Sequence, residues 1–197
     1  MGVDSQQVTL CLSCGLCCNG AIFSVISREA ESFEITADEL IHNDAQAFRL
    51  PCVHHIGNKC SIYNTPDKPH VCTKFKCRLV TQLDAGLTSL EECLIHVKEA
   101  QSCVEEIKVM LKDQGKFDKK ISLELNVNVL HQRSLKLNSN GQATLPLLKH
   151  IALKLYFRRY FGVFEKQRKT VSWTRDLWLS LKLKYYQTLI SFIQKPA

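Results

Sequence analysis

The chain has 197 residues, of which ten are cysteine, 26 are lysine or arginine and 19 are aspartate or glutamate. That length is enough for one domain with a buried core, with or without an appendage. An apolar content of 45% with a charged fraction of 23% excludes a disordered chain, and eight glycines with five prolines exclude collagen-like or low-complexity sequence.

The stretch Ser5–Ser27 carries no charge, but it is too polar for a membrane-spanning helix. It also lacks the positive flank of a signal peptide, since Asp4 is the only charge before it. We therefore expect a cytoplasmic protein with no membrane span. In that compartment thiols stay reduced, so a dense cysteine pattern indicates metal ligands, with a disulfide framework as the alternative.

The first third of the chain is predicted to be mostly irregular. Cys11–Cys18 has neither helical nor strand periodicity and is interpreted as a loop that wraps a metal, and Ile22–Ile26 as a short extended segment. Thr36–Glu39 is a capping box that opens a short helix reaching about Phe48. Residues 51–77 contain three prolines and Gly57, which favour loops.

The middle of the chain predicts one long helix. Ser89–Glu92 is a second capping box, and Gly115 ends the element. Apolar residues recur between them at helical spacing: Leu90, Leu94, Val97, Val104, Ile107 and Leu111. Cys93 and Cys103 lie on or beside this stripe, so we interpret them as core thiols rather than ligands.

The last third predicts a small antiparallel β element and two helices. Apolar and polar residues alternate over Ile121–Val129, as in a half-buried strand, and the pattern repeats at Leu135–Leu137 before a turn at Asn138–Gly141. A helix is predicted from Pro146, in its first turn, to Gly162, and a last helix over Leu177–Phe192. The fold class is therefore α+β and mainly helical, with an irregular cysteine-rich N-terminal part.

The chain is expected to have three regions, and its C-terminal part is much more basic than the rest. We expect a cysteine-cluster metal-binding region over 1–80, a helical segment over 81–118 and a basic β-hairpin with two helices over 119–197. Residues 1–124 carry a net charge of −4, whereas residues 125–197 carry +11. This asymmetry predicts that the C-terminal part meets an anionic ligand or protein partner, or docks on the acidic part of its own chain.

The cysteine pattern is the strongest chemical signal. Eight cysteines fall within 67 residues: Cys11, Cys14, Cys17, Cys18, Cys52, Cys60, Cys72 and Cys77. Two-residue spacers let successive thiolates converge on one centre, and Gly15 permits the tight turn between two of them. Cys17 and Cys18 are adjacent, so their side chains should diverge. One of them could serve a second centre or stand as a reactive thiol.

The cysteine pattern indicates a metal site more directly than it indicates which metal binds there. The first three cysteines have ferredoxin-like spacing, which favours an iron–sulfur cluster, most simply [4Fe–4S], with a fourth ligand from the Cys52–Cys77 block. Zinc held by four thiolates is the alternative, and it would act structurally.

Four ordered blocks resemble a known family. Cys11-x₂-Cys14-Gly-x-Cys17-Cys18, Leu50-Pro51-Cys52, Cys60-Ser-Ile62-Tyr63 and Lys68-Pro69-x₂-Cys72-x₂-Phe75-x-Cys77 are similar to the CxxCxxCC, or YkgJ-type, cysteine-cluster family. The resemblance covers about residues 8–80. It implies a zinc- or iron-chelating protein, and flagellin lysine N-methylase carries a similar cysteine domain. Lys68 stands where the family usually has arginine.

Three histidines and five basic residues also lie near the cysteines in the sequence. His54, His55 and His70 are interpreted as loop residues or residues that contact ligands, because eight thiols are already available. Five cations surround the same cysteines and would either support an anionic thiolate centre or form a solvated surface: Lys59, Lys68, Lys74, Lys76 and Arg78.

The C-terminal part interleaves basic and aromatic residues, as over Tyr156–Phe161 and around Lys166–Lys169. Nucleic acid would use both kinds of side chain, but two amphipathic helices with aromatic cores are the favoured interpretation. We see no phosphate-binding glycine loop and no hydrolase motif. Three hypotheses stay open: an iron–sulfur protein, a zinc-stapled module that binds nucleic acid or an acidic protein, and a lysine-modifying enzyme of the methylase type.

Overall fold

The structure is a computed structural model, and it describes residues 5–27, 47–57, 59–136, 140–163, 184–186 and 188. Its helices are α1 (Ser5–Cys14), α2 (His70–Lys74), α3 (Arg78–Asp84), α4 (Leu90–Asp113), α5 (Leu123–Lys136) and α6 (Asn140–Tyr156), which continues into a π-helical turn (Phe157–Phe161). Two short antiparallel pairs are formed by β1 (Val25–Ser27) with β2 (Ala47–Arg49) and by β3 (His55–Ile56) with β4 (Lys59–Cys60). The predicted class, α+β and mainly helical, is confirmed.

Helix α4 is the central element, and α1, α3, α5 and α6 all pack against it. Its predicted capping box is confirmed, since Ser89 Oγ accepts from the Glu92 N–H at 3.1 Å and Glu92 Oε2 accepts from the Ser89 N–H at 2.9 Å. Gly115 ends it at φ 61°, donating its N–H to Lys112 O at 2.8 Å. Its buried residues follow one helical stripe: Cys93, Val97, Ala100, Val104, Ile107 and Leu111.

The two cysteines of α4 behave as predicted. Cys93 is fully buried, with its Sγ 3.7 Å from the carbonyl oxygen of Leu79 on α3. Cys103 is half-buried and packs against the same core, and burial raises its pKa to about 11. Both thiols act as small apolar side chains in this core.

The predicted strand at Ile121–Val129 is wrong, because the chain is helical from Leu123 to Lys136. The apolar residues of this segment fit both the two-residue repeat of a strand and the three- to four-residue repeat of a helix. Leu123, Val127 and Leu130, which have the helical spacing, are buried, whereas Leu125 and Val129 are exposed. Local hydrogen bonds favour the helix. Its first turn is closed by the Ser122 hydroxyl, which accepts from the Leu125 N–H at 3.3 Å.

Helix boundaries differ from prediction at three further places. Cys11 and Cys14 belong to the last turn of α1 rather than to a loop. Ala47 and Phe48 lie in strand β2, not at the end of a helix, and the rest of that predicted helix lies outside the described residues. Helix α6 already begins at Asn140, where a turn was predicted, so Pro146 stands inside it. Pro146 removes one backbone hydrogen bond, but its ring is buried, and the helix continues through it.

The aromatic residues after α6 pack inside the protein. Phe157 and Phe161 of the π-helical turn are buried, with ring centres 5.3 Å apart in an edge-to-face contact. Tyr160 stacks on His96 of α4 with ring centres 4.1 Å apart, and Tyr156 donates its hydroxyl to Glu99. For Tyr156–Phe161 the packing interpretation is therefore confirmed.

Residues 184–186 and 188 are helical, in agreement with the last predicted helix. The rest of that helix and the basic cluster Lys166–Lys169 lie outside the described residues. Among the described helices, none has the length and apolar character needed to cross a membrane.

Candidate metal centre

All eight cysteines of the N-terminal cluster line one cavity of about 340 Å³. They come from separate elements: Cys11 and Cys14 from α1, Cys17 and Cys18 from the following turn, Cys52 and Cys60 from the β3–β4 hairpin region, Cys72 from α2 and Cys77 from the residue before α3. The fold thus brings together every residue that the sequence predicted as a ligand.

The end of α1 sets the direction of the first thiols. Gly15 has φ 59° and donates its N–H to Cys11 O at 3.3 Å, so the chain turns sharply after Cys14. Helix α4 supports this end, because Gln101 Nε2 donates to the carbonyl oxygens of Ser13 and Cys14 at 3.0 and 2.9 Å. These bonds satisfy carbonyls that a helix end leaves free.

A backbone hydrogen bond joins the turn after α1 to the hairpin region. The Cys52 N–H donates to Cys18 O at 2.8 Å, and the His55 N–H donates to Cys52 O at 3.0 Å. His55 is the strand partner of Cys60 in the β3–β4 pair. Cys18, Cys52 and Cys60 are therefore held near one another although 42 residues of sequence separate the first from the last.

The last two thiols flank short helices. Cys72 lies on α2, where its N–H donates to Pro69 O at 2.9 Å. Cys77 is the N-cap residue of α3, and its carbonyl oxygen accepts from the Thr81 N–H at 3.0 Å. Cys77 thus stands at the N-terminal end of α3, and α3 packs against α1.

The walls of the cavity are mostly apolar. The buried ones include Leu10 of α1, Leu16 of the following turn, Leu79 and Val80 of α3, Val97 of α4 and Phe161 of the π-helical turn. At the solvent side, Phe23 and Phe75 meet edge to face with ring centres 5.5 Å apart. Apolar walls of this kind restrict the access of water to a bound group.

Two polar residues interrupt this lining. Burial raises the pKa of the Cys11 thiol, and a hydrogen bond with the Tyr63 hydroxyl offsets part of that rise. The Lys68 ammonium lies 3.6 Å from the centre of the Tyr63 ring. Its positive charge lowers the pKa of Cys11 and of Cys72, in each case as a smaller effect than burial.

Burial dominates the acid–base behaviour of the thiols. It raises the pKa of Cys14 and Cys18 to about 12 and that of Cys72 to about 11, and it raises the pKa of Cys17 well above its usual 9.0. Neighbouring thiols add to the effect, since several thiolates in one cavity repel one another. Metal binding to these thiols would therefore release protons.

The thiols of the cavity are free and are not drawn together into single-ion sites. Within the described residues, no three His, Cys, Asp or Glu side chains are grouped closely enough to hold a single metal ion. All ten cysteines are free, so the disulfide alternative is not realised.

The other predicted candidates contribute unequally. Among the residues described around the cavity, His54 and His55 are not part of its lining, and the His70 side chain lies outside the description. Of the five predicted cations, Lys68 lines it. Lys76 instead pairs with Asp84 at 2.5 Å.

Sequence reasoning assigned no role to the Tyr63 hydroxyl or to the phenylalanine pair. The sequence signal that could have pointed to Tyr63 and Phe75 is their position within the cysteine blocks. Phe23 precedes strand β1 and reaches the cavity only through the fold.

Comparison of this chain with protein-family models, with curated proteins and with solved structures found no match. The resemblance to the cysteine-cluster family accordingly depends on the four blocks of residues alone.

Proposed function

We propose that this protein is a cytoplasmic metalloprotein whose cysteine cavity holds an iron–sulfur centre, with zinc as the alternative metal. The observation that carries the proposal is the convergence of eight thiols on one apolar cavity of about 340 Å³. Soft thiolate ligands select zinc, copper(I) and iron–sulfur clusters. The volume exceeds what a single ion needs, which favours a polynuclear group.

The charge around the cavity supports the same assignment. Residues 5–27 contain no charged side chain, and residues 47–80 contain six lysines and arginines against Asp67 as the single acid. A [4Fe–4S]²⁺ core with four thiolates carries a charge of −2, so a positive environment lowers the cost of placing it there. The five extra positive charges fit an anionic centre.

The nucleic-acid alternative has less support. Stacking on bases requires accessible rings, whereas Phe157 and Phe161 are buried in the core and Tyr160 stacks on His96. The lysine-modifying alternative depends on the family resemblance alone.

Anaerobic reconstitution of the full chain tests the proposal. Incubation with ferrous iron, sulfide and a thiol reductant should give a brown protein with visible absorbance and stoichiometric iron and sulfide. Cys14→Ser should bind less iron than the unaltered protein, whereas Cys103→Ser, which removes a thiol of α4 outside the cavity lining, should bind as much. A colourless protein with stoichiometric zinc would contradict the iron–sulfur assignment, and a protein that binds neither metal would contradict the proposed function.

A further inference from the structure

The eight thiols of the cavity differ in their relation to the hydrophobic core. Four of them pack against the main core formed by α1, α3, α4, α5 and the π-helical turn: Cys11, Cys14, Cys17 and Cys77. The remaining four described thiols make no such packing: Cys18, Cys52, Cys60 and Cys72. The first set lies on the inner side of the cavity, and the second lies away from the core.

Backbone connections divide the thiols in the same way. Cys11 and Cys14 share the last turn of α1, and α1 packs against α3, whose N-cap is Cys77. On the other side, the hydrogen bond from Cys52 to Cys18 and the strand pairing of Cys60 with His55 tie three thiols to the hairpin region.

We infer that the cavity holds two metal centres, one bound by Cys11, Cys14, Cys17 and Cys77 (the inner four), the other by Cys18, Cys52, Cys60 and Cys72 (the outer four). The inference rests on the proposed function. The division falls at the Cys17–Cys18 peptide bond, where consecutive Cα atoms lie about 3.80 Å apart. The two centres are therefore side by side, each with four thiolates and no shared ligand.

Cysteine-to-serine variants of the full chain test the division by metal content. After anaerobic reconstitution, the unaltered protein should hold about eight iron atoms, four for each [4Fe–4S] centre. Cys72→Ser (outer) and Cys77→Ser (inner) should each retain about half of the iron and sulfide. The double variant Cys60→Ser/Cys72→Ser, within the outer four, should also retain half, whereas Cys72→Ser/Cys77→Ser, across the two groups, should lose nearly all of it.

A single shared centre makes different predictions, and these would overturn the inference. Every single substitution would then remove nearly all iron, or the across-group double variant would retain as much as the within-group one. Far-UV circular dichroism checks that each variant folds. The variants of the outer four are expected to disturb folding least, because these thiols do not pack against the core. If the unaltered protein binds no metal, the proposed function fails and the inference with it.

Electron paramagnetic resonance gives a readout independent of metal content. After reduction with dithionite, two neighbouring paramagnetic centres should show splitting from their magnetic interaction in the unaltered protein. Cys72→Ser should convert this spectrum into the simple signal of one centre. An unsplit spectrum of one spin per chain in the unaltered protein would contradict two adjacent centres.

Discussion

The Lys68 ammonium lies 3.6 Å from the centre of the Tyr63 ring, and the Tyr63 hydroxyl in turn hydrogen-bonds the Cys11 thiol. Lys68 and Tyr63 both line the cysteine cavity. This arrangement connects a positive charge from the loop before α2 to a thiol of α1. A cation over an aromatic ring contributes about 0.5–2 kcal/mol, depending on its exposure.

Replacing Lys68 by methionine should weaken the metal-bound form more than the metal-free form. The methionine keeps the length of the side chain but removes the charge that offsets the thiolates. We expect a loss of about 0.5–1 kcal/mol in the unfolding free energy of the apoprotein and faster loss of metal to a chelator. Lys59→Met is the matched control, because exposed Lys59 is not among the described lining residues. Lys68→Arg should restore metal retention, since arginine also stacks on aromatic rings; equal loss in Lys68→Arg and Lys68→Met would contradict a role for the charge.

Replacing Phe75 by alanine should open the solvent side of the cavity. Its ring is 42% exposed and meets Phe23 at 5.5 Å, so truncation removes part of the apolar wall with a limited effect on the core. Absorbance of the reconstituted protein should bleach several-fold faster in air than that of the unaltered protein. Leu87→Ala is the control, because Leu87 is 77% exposed after α3. Equal bleaching rates in the two variants would show that Phe75 does not protect the site.

Replacing Gly20 by alanine should destabilise the junction between the cysteine turn and α5. Gly20 has φ 75°, and an added Cβ would lie 3.2 Å from Ser122 Cα and 3.3 Å from Pro51 N. Backbone atoms cannot move aside as a side chain would, so we expect a loss of about 3 kcal/mol in unfolding free energy. Gly57→Ala is the control for backbone strain without a steric clash, because Gly57 has φ 56° and an added Cβ would have nothing within 4 Å. This variant should lose about 1 kcal/mol in unfolding free energy. Equal losses in urea unfolding would contradict the close approach.

The buried imidazole of His150 on α6 should make the stability of the protein depend on pH. Burial and, to a smaller extent, the positive charge of Lys154 lower the pKa of His150 from 6.5 to about 4, against the opposite effect of Glu124 of α5. Between pH 6.5 and about 4 the unfolded chain binds a proton that the folded chain does not. The unfolding free energy should therefore fall as pH falls through this window, by at most about 3 kcal/mol at 1.36 kcal/mol per pKa unit.

Urea unfolding of the apoprotein at pH 7, 5 and 4 measures this dependence. His150→Gln removes the titrating group and should flatten the fall with pH. His131→Gln, on half-buried His131 of α5, should leave the fall unchanged. The same pH dependence in His150→Gln as in the unaltered protein would assign the effect to other groups.

Local patterns predicted some elements correctly and misassigned others. The limits of α4 follow from Ser89, Glu92 and Gly115, whose hydrogen bonds are made within a few residues of each other, so neighbouring sequence suffices. The Leu123–Lys136 helix was missed because its apolar residues fit both a strand and a helix. Packing against α4 and α6 selects the helix, and these contacts cannot be read from the residues near Leu123–Lys136 in the sequence.

The sequence by itself determined which side chains form the candidate site, because residue type and close spacing are enough to single out the eight cysteines. Only the tertiary structure decided where each thiol lies relative to the core and the hairpin region. Cys17 and Cys18 are equivalent in the sequence, but the core packs on one and the hairpin region bonds to the other. The reason is that spacing constrains a ligand only relative to its chain neighbours, whereas Cys52, Cys60, Cys72 and Cys77 reach the cavity through contacts between elements far apart in the chain.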